Sequence, residues 1–171
     1  MSKIVVVSDS HGSIRNLSAF ADRIGQPDAL WHLGDCTEDA ELIAQKLNCG
    51  YVGVRGNCDP FSDLPLTQMI DWHHRRFLLL HGHTAAGRLQ LKYLAEENRC
   101  DVVLFGHSHV PSVEEVDGIL MINPGSLSRP RSEKGLSIAV LTLTDVSLDV
   151  QILFRNDRIE EYSQSFNTFM H

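Results

Sequence analysis

Long apolar runs are missing from this sequence. Runs such as Ile4-Val5-Val6-Val7 and Phe77-Leu78-Leu79-Leu80 fall far short of the ~20 residues a bilayer-spanning helix needs. The N-terminus carries one Lys, with neither an extended apolar region nor a small-residue cleavage pattern, so no secretory signal is expected. Basic charge is also scarce: 15 Lys+Arg against 22 Asp+Glu give a formal net charge of −7. A surface of that sign disfavours nucleic acid or an anionic membrane as a stable partner. The four cysteines, Cys36, Cys49, Cys58 and Cys100, form no C-x-x-C pair and no framework spacing. That excludes a disulfide scaffold and leaves free thiols, expected to pack as small core residues. No internal repeat, low-complexity tract or Pro/Gly/Ser-rich linker divides the chain. What remains is a cytoplasmic globular protein, with residues 1–171 as a single domain long enough to bury a real core.

The first half reads as strands alternating with amphipathic helices. Ile4–Val7 is a continuous apolar run of the kind found in a central parallel strand. Ser13 is expected to cap a helix over 14–24 with Leu17, Phe20, Ala21 and Ile24 on one face, and Thr37 a second helix through Leu47. Strands are expected at 29–33 and 51–54, which completes a β-α-β-α-β parallel layer. The second half turns to hairpins: 66–70 with 76–80 around Asp71–His74, and 113–116 with 119–122 around Asp117-Gly118. A helix over 87–98 and a strand at 102–105 lie between them, and 136–143 and 146–154 alternate like meander strands. Residues 156–171 are polar and carry no clear period. Two packed sheets flanked by helices fit this order.

Polar ligand-type residues gather just after the expected strands. Asp9 and His11 follow the first, Asp35 the second and Asn57 the third, His81 follows 76–80, and His107 and His109 follow 102–105. Ligands in open α/β sheets bind beyond the carboxyl ends of strands, so these segments are expected to meet at one rim. In extended chain residues i and i+2 share a side, which would aim Asp9 with His11 and His107 with His109 at one place. The adjoining Gly12, Gly34, Gly56, Gly82 and Gly106 allow tight turns and close backbone approach. Oxygen and imidazole donors without thiolate suit Mn, Fe(II), Zn, Ni or Co rather than a structural zinc site. Seven such residues exceed the needs of one tetrahedral ion and suit two divalent ions sharing a carboxylate. Such a pair holds hydroxide and clamps the entering and leaving oxygens of a phosphoryl displacement.

Read in order, D-S-H at 9–11, G-D at 34–35, G-N-C-D at 56–59, H-G-H at 81–83 and G-H-S-H at 106–109 resemble the calcineurin-like metallophosphoesterase superfamily. The short chain and N-P-G-S-L-S-R-P-R at 123–131 resemble its small bacterial and archaeal phosphodiesterase branch, which also includes the retromer scaffold subunit of eukaryotes. The signature blocks span 9–131. The resemblance implies a four-layer αββα sandwich of the α/β (α+β) class. It implies Asp9, His11 and His109 on one metal, Asn57, His81 and His107 on a second, and Asp35 bridging. The implied cofactors are two divalent ions, Mn2+ first, with Ni2+, Zn2+, Fe2+ or Co2+ as alternatives. The implied activity is hydrolysis of a small phosphodiester by the bridging hydroxide.

Larger family members have His where this chain has Cys58, and a thiol is a poorer proton donor to an alkoxide. Asp59, His83 or metal-coupled water are therefore candidates for the acid, alongside metal-coupled Asn57, His81 and His107 as catalytic residues. Arg15, Arg129 and Arg131 are candidates for binding phosphate, which guanidinium suits. His32 is expected in or near the core, and His73 and His74 in solvent. Two rivals stand beside the diesterase: a non-catalytic protein-binding scaffold on the same fold, and a phosphomonoesterase or protein phosphatase. Family members are often dimers or tetramers, so a homo-oligomer is compatible with the resemblance.

Overall fold

A computed structural model describes residues 1–165. Strands β1 (Ser2–Val7), β2 (Ala29–His32) and β3 (Gly50–Gly53) alternate with a 3-10 segment (Ile14–Phe20) that runs into α1 (Ala21–Ile24), and with α2 (Glu38–Leu47). The hairpin of β4 (Thr67–Trp72) and β5 (Arg75–Leu80) leads through α3 (Arg88–Asn98) to β6 (Val102–Leu104). A second hairpin, β7 (Ser112–Val116) and β8 (Ile119–Asn123), precedes the meander β9 (Ser137–Leu143), β10 (Ser147–Phe154) and β11 (Ile159–Ser165). One sheet has the order β11-β10-β9-β1-β2-β3 and the other β4-β5-β6-β8-β7. Strands β1, β2 and β3 are mutually parallel, as are β5, β6 and β8.

Alternation along the strands sorts side chains into three cores. Ile4, Val6, Trp31 and Leu33 meet Phe77, Leu79, Leu104 and Ile122 between the sheets. Val5, Val7 and Leu30 face outward onto Leu17, Phe20 and Ile43, while Leu78, Leu80 and Val103 face Leu91 and Ala95. The two sheets thus lie between helical layers, the expected αββα order. The parallel strands of both sheets end at the same rim.

Several local expectations need correction. Residues 14–20 are a 3-10 helix rather than an α-helix, so Leu17 and Phe20 share the buried face at a spacing of three, and Ala21 is exposed. The Ser18 hydroxyl donates to the Arg15 carbonyl, local polar bonding that competes with α-helix formation, and the Asn16 amide donates to the distant Leu127 carbonyl. Neither Ser13 nor Thr37 caps through its side chain. The polar stretch from 156 contains β11, which pairs with β10 from Ile159 to Ser165. Its own apolar period is weak because it is an edge strand, with its register set by β10; residues 166–171 lie outside the described residues. Only Cys100 of the four thiols is buried. His73 is not free in solvent: Nε2 meets the Ser2 hydroxyl at 3.0 Å and Nδ1 the Asp145 carboxylate at 2.8 Å, which ties the β4–β5 turn to the other sheet. His74 remains exposed.

His32 is fully buried, as expected. Its Nδ1 accepts the Gly34 N–H at 3.2 Å, so Nε2 carries the proton and donates to Ser10 Oγ at 2.9 Å. Burial pushes its pKa down from 6.5 to about 4. The unfolded chain therefore takes up this proton first, and the stability contributed by neutral His32 is full above pH 6.5 and lost as pH falls through 4. A shift of this size is worth about 3 kcal/mol. His32→Asn, with Oδ1 placed to accept the Gly34 N–H, is expected to lose about 3 kcal/mol less than the parent between pH 7 and pH 4 in urea titrations. Equal losses would remove His32 as the cause.

Candidate metal centre

The residues that gather at the rim are held in unusual backbone conformations. Asp9, His11, Asp35, His107 and His109 have φ of 53°, 42°, 59°, 66° and 58°. Each strand ends and the chain reverses through the left-handed region, which Asp and His tolerate better than most residues. The Asp9/His11 and His107/His109 pairs therefore converge through left-handed turns, not through the extended-chain alternation expected from the sequence. Two glycines make room for the carboxylates. A Cβ on Gly56 would lie 2.2 Å from Asp35 Oδ1, and one on Gly106 would lie 2.9 Å from Asp9 Oδ2.

Asp9, His11, Asp35 and His109 each present a ligand atom, all within 4.8 Å of one another. Asp9 is fully buried, and its Oδ2 accepts from Ser8 Oγ at 2.6 Å and from the His107 N–H at 3.1 Å. Its Oδ1 is left facing His109 Nε2 at 2.9 Å, His81 Nε2 at 3.8 Å and His11 Nε2 at 3.9 Å. Asp35 spans the cluster: Oδ2 lies 3.7 Å from His11 Nε2 and Oδ1 3.4 Å from His81 Nε2. His81 Nδ1 donates to the Leu33 carbonyl at 2.7 Å, and His109 Nδ1 to the Arg129 carbonyl at 2.6 Å. A carbonyl can only accept, so both Nδ1 atoms carry protons and both Nε2 atoms are turned to the centre, as in oriented metal ligands.

Asp9 Oδ1, His11 Nε2 and His81 Nε2 are buried without a hydrogen-bond partner. Lone pairs gathered this way cost free energy unless something positive lies between them. The donor set of carboxylate and imidazole fits a divalent transition ion. Electrostatics agree with the geometry. Burial acts to raise the Asp35 carboxyl, but the His81 imidazole beside it and the hydrogen bond from the Cys58 N–H prevail and hold it well below the usual range. Burial lowers His11 and His107, whereas the neighbouring carboxylates of Asp35 and Asp9 raise His81 against its burial.

Above this cluster opens a cavity of about 400 Å³ lined by His11, Asp35, Asn57, His107, His109 and the segment Arg129–Arg131, with Cys58 at its edge. Asn57 and His107 thus line it, while Asp9 and His81 are buried and do not reach its surface. The His107 ring lies 5.2 Å from that of His81. Arg129 and Arg131 are exposed among its lining residues. A carboxylate and imidazole cluster fit for a cation, beside two guanidinium groups, suits an anion with several oxygens.

Residues 2–146 match the family described as the Calcineurin-like phosphoesterase superfamily domain. The chain belongs to that superfamily. "Probable metallophosphoesterase YsnB" of Bacillus subtilis is 36% identical, the match covering 86% of this chain and 88% of that protein. "Phosphodiesterase YfcE" of Escherichia coli is 29% identical, with 89% and 98% covered. A crystal structure from Streptococcus pneumoniae, described as a predicted phosphoesterase, superposes with a TM-score of 0.75 at 30% identity and covers 95% of this chain and 98% of its own. Vps29 of Entamoeba histolytica, complexed with zinc, reaches 0.80 at 24% identity over 96% and 99%, a likeness of fold.

Arg15, Asp59 and His83 are not among the residues that line this cavity. Arg15 lines a separate cavity of about 270 Å³ with Leu17 and Lys46. Asp59 is buried, and its two oxygens accept four backbone N–H groups, from Asp35, Cys36, Thr37 and Gly56, at 2.7–3.0 Å. It clamps the loops that carry Asp35 and Asn57, and no oxygen is left over for proton transfer. The His83 ring lies beside those of His81 and His107, with centroids 5.5 and 6.3 Å away. The Cys58 thiol is pushed up by burial and by Asp35.

Other supports had little signature in the sequence. The Asp9 carbonyl accepts from Ser126 Oγ at 2.9 Å and Ser128 Oγ at 2.8 Å. The Asn123 amide donates to the Gly106 carbonyl and to Ser108 Oγ at 3.0 Å. The N-P-G-S-L-S segment reads as turn chemistry, and its service to Asp9 appears only when both loops reach the rim. Among the described residues no helix is long and apolar enough to cross a membrane.

Proposed function

We propose that the chain hydrolyses phosphodiesters at a site for two divalent cations, with Mn2+ the first candidate. The observation that carries this reading is the placement of Asp35: each carboxylate oxygen faces a different imidazole, His11 at 3.7 Å and His81 at 3.4 Å. One carboxylate serving two ligand groups divides the cluster. Asp9, His11 and His109 would hold the first ion, Asn57, His81 and His107 the second, with Asp35 shared. When bound, such cations supply Lewis acidity, activating water as the nucleophile and offsetting phosphoryl charge.

The remaining chemistry belongs to the protein side chains. The carbonyls of Leu33 and Arg129 keep His81 and His109 in the tautomer that points Nε2 inward. Asn57 at the lip adds an amide within reach of the cavity, and Arg129 and Arg131 orient non-bridging phosphoryl oxygens. The open cavity leaves space for two ester groups, and the phosphodiesterase name of the relative YfcE points the same way. Bis(p-nitrophenyl) phosphate and p-nitrophenyl phosphate, assayed with Mn2+ and after chelation, test the reading. Metal-dependent turnover with the higher kcat/KM on the diester is expected. A preference for the monoester would reverse the substrate class, and no turnover of either with metal would favour a binding role.

A further inference from the structure

A second cavity, of about 360 Å³, adjoins the first, and Cys58 lines both. Its character is different. Tyr51, Phe61 and Leu64 supply apolar walls, with Glu38 and Ser62 beside them. Phe61 is 97% exposed and Tyr51 42%. An aromatic ring left almost wholly in water does nothing for the core. Nor is Phe61 on a loose loop. The Ser62 N–H closes a turn onto the Asp59 carbonyl at 3.2 Å, the Thr37 hydroxyl donates to Ser62 Oγ at 3.0 Å, and Asp59 fixes the base of the loop. The ring is therefore presented by a rigid turn beside the cavity that holds the candidate metal ligands.

Charge narrows the occupant. The basic side chains Arg129 and Arg131 line the metal cavity, whereas the titratable groups of the second are Glu38, Asp59, Tyr51 and two thiols. A phosphate or carboxylate would be repelled there. An uncharged planar group would stack on an exposed aromatic face, as bases do on single-strand-binding surfaces. We infer that this cavity is a subsite for a planar aromatic group, of the size of a nucleobase, carried by the phosphoester whose phosphoryl oxygens occupy the metal cavity. The inference rests on the proposed phosphoesterase reading and narrows its substrate class.

Calorimetric titration of the Mn2+-loaded protein with adenosine 5′-monophosphate, phenyl phosphate and ribose 5-phosphate tests it. The aromatic esters are expected to bind roughly ten-fold tighter than ribose 5-phosphate, the scale of one stacking contact. Phe61→Ala should abolish that margin and leave ribose 5-phosphate unchanged, while Phe61→Trp should keep it. An advantage confined to the nucleotide identifies a base as the occupant, and an equal one for phenyl phosphate identifies any aryl ester. Ribose 5-phosphate binding as tightly as the aromatic esters, or an advantage that survives Phe61→Ala, overturns the subsite alone. If none of the three binds although bis(p-nitrophenyl) phosphate is turned over with Mn2+, the subsite is overturned and the phosphoesterase reading stands; if that diester is not turned over either, both fall. Loss of self-association in Phe61→Ala by sedimentation velocity, without any aromatic advantage, would make the patch an interface between copies and overturn the inference.

Discussion

Asp35→Ala is expected to lower metal-dependent turnover by about 10³-fold or more, on the scale of removing a preorganised group from a charge-stabilising site. The carboxylate faces both histidine groups, so its loss disturbs both ends of the cluster at once. In the metal-free protein the same change removes one hydrogen bond, from the Cys58 N–H at 2.9 Å, and one of the two buried carboxylates of the cluster. Stability without metal should therefore fall by no more than about 1 kcal/mol. The Mn2+-induced rise in melting temperature should vanish with activity, because a cation at 100 times its Kd stabilises by only about 2.7 kcal/mol and only if it binds. Asn57→Ala makes the contrast. Asn57 is exposed, and the contact recorded for its amide is a 3.6 Å approach to Cys58 Sγ, so the expected loss of turnover is at least about ten-fold smaller. Equal effects of the two substitutions on thermal shift and kcat/KM would remove Asp35 from its shared position.

The largest loss of stability is expected at Asp59. Its carboxylate gathers the N–H groups of Asp35, Cys36, Thr37 and Gly56. Alanine there leaves those donors facing each other in a buried pocket, and each unsatisfied donor costs about 1–3 kcal/mol before relaxation or water entry. A net loss of about 3–5 kcal/mol is expected, a large share of the stability of an ordinary domain. Asp59→Asn retains one acceptor oxygen and turns an amide toward the other donors, so it should fall between the parent and alanine. Urea denaturation without metal reads the effect independently of turnover. A loss below about 1 kcal/mol for Asp59→Ala would mean that the loops hold themselves, against the hydrogen-bond arithmetic above.

The two substitutions mark where sequence reading succeeded and where it stopped. The strands β1, β5 and β6 are legible as apolar runs because they are buried on both faces, and the Asp117-Gly118 turn because both positions take positive φ, 50° and 83°. β11 is not legible: Ile159–Ser165 has a polar, half-exposed pattern, and its pairing with β10 supplies the order. Asp9, His11, Asp35 and the histidine pairs stand out through residue type and position after strands. Their convergence through left-handed turns does not, since the extended-chain argument reaches the right neighbours by the wrong backbone. Asp59 lay in plain view within G-N-C-D, but whether a carboxylate transfers a proton or holds a loop depends on what its two oxygens touch. Phe61 passed unnoticed because an aromatic residue in a sequence carries no mark of exposure.

By itself the sequence determined the alternation of strands and helices, the order of the ligand-bearing segments and the family, because these follow from local hydrophobic period and from residue types at fixed spacings. Only the tertiary structure decided which imidazole nitrogens face inward, that Asp35 lies between two histidines, that Asp59 is a clamp and that Arg15 lies away from the site. Those facts depend on backbone carbonyls and N–H groups brought together from distant segments, and backbone groups are the same in every residue until the fold places them.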